Sequence, residues 1–142
     1  MTRKSFVLAA ILSGTIWCAS ATQHELRADD GKPALEETVT PLLKTDLIGM
    51  KDKEVNILHI DVPPGFVTVK HLHPGQLFIY VLEGAVTIEI DGNAPVKLGP
   101  GDVVEEPSNK WMVGKNLSST HGARLVIFEI GSKDKPLQVD AK

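Results

Sequence analysis

Between residues 39 and 130 the chain alternates short apolar runs with turn residues. Runs at 55–62, 67–73, 77–82, 85–90, 96–98, 103–106, 111–113 and 123–130 are separated by Pro63-Pro64-Gly65, Pro74-Gly75, Gly84, Asp91-Gly92-Asn93, Gly99-Pro100-Gly101 and Pro107. Runs of this length with turn signals at this spacing predict an all-β sandwich or barrel. Asp91-Gly92 suits a two-residue hairpin turn. Beyond the first 21 residues nothing sustains a helical period.

Parity assigns faces within these strands, because successive strand side chains point to opposite sides. His71 and His73 share one face and can reach a common point. Val67 and Val69 share their parity, which predicts that the histidines extend an inward apolar face. His59 shares parity with Asp61 and is expected outside the barrel, away from His71. Glu105 and Glu106 fall on opposite faces, and Glu106 is expected as an exposed rim carboxylate. His24 and His121 read as solvated loop residues. Imidazole pairs on one face are common metal ligands.

The stretch from Gly65 to Gly84 resembles the first motif of the cupin family: Gly, five residues, His, any, His, three or four residues, Glu, six residues, Gly. Gly65, His71, His73 and Gly84 match, while Leu77 stands at the glutamate place with Gln76 beside it. The second motif reads Gly, five, Pro, any, Gly, two, His, three, Asn. Gly101, Pro107 and Asn116 match, while Asn109 stands at the second glycine and Met112 at the histidine. The resemblance implies one conical antiparallel β-barrel of jelly-roll type over residues 39–130, with both motifs facing one interior, and a homodimer. It also implies an interior site for a metal ion or small molecule.

For a metal, the candidate ligands are His71, His73, Gln76 and Met112. Without the usual carboxylate, a hard ion loses its best partner. Copper is least harmed, because imidazole suits it and thioether selects its reduced form. The alternative is that Leu77 and Met112 are apolar fillers of a metal-free pocket. Three functions stay open: a barrel binding a metal or small molecule, a metal-dependent enzyme of dioxygenase, isomerase or decarboxylase type, and a scaffold or sensory module.

The rest of the chain narrows the setting. Residues 1–21 read as a signal peptide, with Arg3 and Lys4, an apolar run, and Ala19-Ser20-Ala21 as the cleavage site, so that the exported chain, periplasmic or secreted, begins at Thr22. Residues 22–38 read as a mobile leader and 131–142 as a polar tail, with Val139 able to pair at an edge. Cleavage removes Cys18, the single cysteine, so no disulfide or thiol nucleophile remains. It also takes the net charge from −3 to −3 − 2 = −5. With no basic run, this argues against nucleic acid as a partner.

Overall fold

The apolar runs become strands, and the strands form two sheets. The structure, a computed structural model, describes residues 35–142; the expected signal peptide, cleavage site and most of the leader lie outside those residues. The strands are β1 (Thr38–Asp46), β2 (Lys53–Val62), β3 (His71–Leu72), β4 (Gln76–Glu83), β5 (Val86–Ile90), β6 (Val96–Leu98), β7 (Val103–Glu106), β8 (Met112–Lys115), β9 (Ala123–Ser132) and β10 (Val139–Asp140). One antiparallel sheet runs β1-β2-β9-β4-β7 and the other β10-β3-β8-β5-β6. The described residues are all-β, in a jelly-roll arrangement.

Alternation decides what is buried. In β2, Leu58, Ile60 and Val62 turn inward, while His59 lies outside with its Nδ1 3.5 Å from Asp61 Oδ2. In β4, Leu77, Ile79 and Val81 are buried, and Tyr80 is exposed on the other face. Leu77 and Val81 lose all their solvent exposure. Each such side chain contributes roughly 1.5–3 kcal/mol of transfer free energy. The β4–β5 link passes through Gly84 at φ +73°, where an added Cβ would lie 2.4 Å from the Gly122 carbonyl oxygen. Only glycine fits that crossing.

Two segments depart from the sequence reading. The first strand, β1, is absent from the apolar pattern because all nine of its residues are exposed. It contains Pro41, with a register shift between Pro41 and Leu43, which suits an edge position. The 67–73 run is regular only at His71–Leu72. Val67 and Val69 are 51% and 59% exposed, so they do not share the inward face of the histidines. Thr68 turns inward instead, accepting a hydrogen bond from Gly114 N at 3.0 Å. Parity shifts between Val69 and His71, outside the regular ladder, and there His71 Nδ1 donates to the Val69 carbonyl, 2.8 Å away.

Asn109 has φ +58°. Asparagine tolerates this left-handed conformation better than most residues, so it can serve where the motif has glycine. Its N–H donates to the His73 carbonyl at 2.8 Å, tying the β7–β8 turn to the histidine segment. Asn116, 1% exposed, closes the opposite end. Its amide donates to the carbonyls of Val62, Pro63 and His121 at 3.4, 3.1 and 2.9 Å, and its Oδ1 accepts from Ser118 N at 3.1 Å. Removing such a hub strands buried polar groups at roughly 1–3 kcal/mol each. Asn116→Ala is therefore expected to lower the urea-unfolding free energy by at least about 2 kcal/mol. A loss below about 0.5 kcal/mol would show that water replaces those bonds.

Candidate functional site

Between the sheets lies a cavity of about 130 Å³. Its wall is largely apolar, with Ile60, Phe66, Ile79, Ile88, Leu125 and Ile127 among its residues. Polar atoms come from His71, His73 and Glu106, with Thr68, Lys115, Glu37 and Gln138 elsewhere on the wall. His71, His73 and Glu106 are 5%, 4% and 4% exposed. The two imidazoles meet edge to face, with centroids 5.0 Å apart.

Each ring is oriented by a backbone carbonyl. His71 Nδ1 bonds the Val69 oxygen and His73 Nδ1 the Leu137 oxygen, both at 2.8 Å. A carbonyl can only accept, so both Nδ1 atoms carry hydrogen, and Nε2 is the nitrogen left for other work. His73 Nε2 lies 3.3 Å from Glu106 Oε2. Burial pushes the His73 pKa down. The Glu106 bond, the Leu137 carbonyl and the charges of Glu106 and Glu129 outweigh that and leave it above the usual imidazole value.

Glu106 reaches this place through strand register. In the first sheet Glu106 opposes Leu77, Leu77 opposes Glu129, and Glu129 opposes Asn56. Directly opposed residues share a face, so this row lies inside. Glu106 is thus not the exposed rim carboxylate that the sequence suggested. Alternation made it readable that Glu105 and Glu106 face opposite ways, but not which of them faces in: Glu105 points outward to accept from the Gln76 amide at 2.8 Å, and the register to Leu77 was not readable either. Glu129, 2% exposed, accepts from Asn56 Nδ2 at 3.0 Å. Burial raises its pKa, offset in part by the Asn56 bond and by His73.

Of the four sequence candidates, His71 and His73 converge. Met112 opposes His71 across β3–β8 and is 1% exposed, but it belongs to the apolar core and not to the cavity wall. Gln76 is outside the barrel on Glu105, so it does not join the histidines. Among the described residues no three His, Cys, Asp or Glu side chains are arranged to hold a metal ion. Neither His59 nor His121 is on the cavity wall, the latter bonded to Thr120 Oγ1 at 2.7 Å.

The comparisons agree with this architecture. The family model described as "Cupin domain" matches residues 58–129, which is 72 of the 142 residues. The chain belongs to the cupin family. No curated protein matches it. Similar solved structures include a cupin superfamily protein from Desulfitobacterium hafniense, 16% identical over 70% of this chain and 81% of that one, with a TM-score of 0.57. A cupin-like protein from Thermotoga maritima is 25% identical, covering 74% and 75%, at a TM-score of 0.56. The DMSP lyase DddQ from Ruegeria pomeroyi is 19% identical, covering 84% of this chain and 57% of that one, at 0.58.

The raised pKa of His73 has a stability consequence. Its contribution is fully present below the unfolded value of about 6.5 and is lost as pH rises through the folded value. Unfolding free energy should therefore fall as pH increases above about 6.5. Glu129 acts in the same sense from its own, lower range. A His73→Phe, Glu106→Leu double variant removes the histidine without leaving Glu106 as an unpaired buried carboxylate. Urea unfolding across this range should show a steeper decline for the parent than for the variant, and equal slopes would refute the assignment.

Proposed function

We propose that the barrel interior binds a small, largely apolar molecule carrying one hydrogen-bonding group, with that group against His71, His73 and Glu106. The observation that carries this reading is the cavity itself: a mainly apolar wall with three buried ionisable side chains on it. Pockets of this composition use a few placed polar atoms to orient a ligand. Its volume of about 130 Å³ is near that of buried cavities that take up a benzene ring. The His71 Nε2 atom, with Nδ1 already committed to Val69, supports a hydroxyl donor as the polar group. Glu106 and the nearby Glu129 argue against an anionic ligand.

A metal centre is the second reading. Both Nδ1–H groups are spent on backbone carbonyls, as in metal-binding histidines whose second nitrogen is held by an acceptor. The two imidazoles fit such an ion, and Glu106 fits only by leaving His73. A metal bound there would act as a Lewis acid or redox centre, and divalent and copper ions remain the ions to test. A lyase activity would borrow from the DMSP lyase likeness alone, which at 19% identity speaks for the fold.

Phenol and benzene separate these readings. Phenol should bind about fivefold more tightly than benzene, the worth of one hydrogen bond near 1 kcal/mol. His71→Phe should erase that preference while leaving benzene binding in place. Titrations followed by the His71 and His73 ring resonances report both. If neither compound perturbs those resonances while copper or zinc does, the small-molecule reading falls and the metal reading stands.

A further inference from the structure

The C-terminal segment takes part in this site in a way the polar tail sequence does not suggest. After β9 the chain turns at Ser132, whose carbonyl accepts from Lys135 N at 3.0 Å. It then returns across the second sheet. Val139 opposes Leu72 and Asp140 opposes His71, while Ala141 N donates to the Lys70 carbonyl at 2.8 Å. Leu137 packs against the core, and both Leu137 and Gln138 line the cavity. The Leu137 carbonyl accepts the His73 Nδ1–H at 2.8 Å.

One segment therefore closes a wall of the cavity and holds a cavity imidazole by its backbone. Its own attachment is slight. The strand β10 has two residues, both exposed, against a partner strand of two. Short, exposed pairings of this kind open locally at low free energy, well before the global fold. The long ladder of β2 with β9, by contrast, spans ten residue pairs.

We propose that the segment 137–141 is a strap that gates the cavity and positions His73. Closed, it walls the cavity with Leu137 and Gln138 and fixes the hydrogen of His73 on Nδ1. Open, it gives a ligand its path and lets the His73 ring turn. Leu137 is thus a positioning residue through its carbonyl and a wall residue through its side chain. The gating half rests on the small-molecule reading above; the positioning half does not.

Two changes act on the strap in opposite senses. Deleting residues 137–142 removes it. Leu72→Cys with Val139→Cys, at directly opposed positions and in a Cys18→Ser background, ties it shut under oxidising conditions. Phenol is the probe, with its dissociation rate read by NMR exchange. The deletion should speed phenol release at least tenfold, and the oxidised pair should slow it at least tenfold, reversed by reductant. In a Glu106→Leu background, where no carboxylate competes for the hydrogen at Nε2, ring nitrogen shifts of His73 at the alkaline end of its titration should show hydrogen on Nδ1 with the strap present and its loss from Nδ1 in the deletion. That readout would not respond to a merely packing role. If phenol does not bind at all, the small-molecule reading and the gating half fall with it, while the nitrogen shifts still decide positioning. If the deletion does not fold, the strap is integral to the fold and the gating idea is overturned unless the oxidised pair still slows release. A folded deletion that keeps hydrogen on Nδ1, with release rates within twofold in every form, overturns the whole proposal.

Discussion

Ionisable side chains buried in an apolar interior need partners, and this requirement organises the protein around its cavity. A polar group left unpaired in such a place destabilises by several kcal/mol, and an isolated charge by far more. His71, His73, Glu106 and Glu129 are each at most 5% exposed. Each is answered by something specific: the Val69 carbonyl, the Leu137 carbonyl with Glu106, His73, and Asn56. Among the described residues no buried side-chain nitrogen or oxygen lacks a partner. These partners come from β2, β7, the approach to β3 and the C-terminal segment, so satisfying the interior draws both sheets and the tail together.

The same requirement explains why sequence reached the fold more fully than the site. Turn residues and alternation are local, and β2, β4, β5, β6, β7 and β9 lie close to where the apolar runs end. Strand β1 was invisible because an exposed edge strand has no buried face to impose a pattern. The valines before His71 misled because they lie outside the regular ladder, where alternation does not carry through from Val69 to His71. Glu106 was legible only in half. Its opposition to Glu105 followed from alternation, but its meeting with His73 depends on the pairing of β7 with β4, 29 residues earlier in sequence at the Leu77–Glu106 pair. Pairing registers of that range are tertiary facts.

Leu77 and Glu106 bear on what became of the carboxylate expected on β4. The cupin motif has glutamate where this chain has Leu77, which is wholly buried. Directly opposite, on β7, Glu106 brings a carboxylate to the same interior face. An interior carboxylate is thus kept on a neighbouring strand, but its role is altered. From β7 it meets His73 Nε2 at 3.3 Å, occupying the nitrogen that an ion would need. A cation entering between His73 and Glu106 must repay the bond it breaks, whereas a neutral ligand on His71 Nε2 leaves that pair intact. On the small-molecule proposal, leucine in place of the motif glutamate favours neutral guests through the His73–Glu106 pair beside it, and not simply through the ligand it removes.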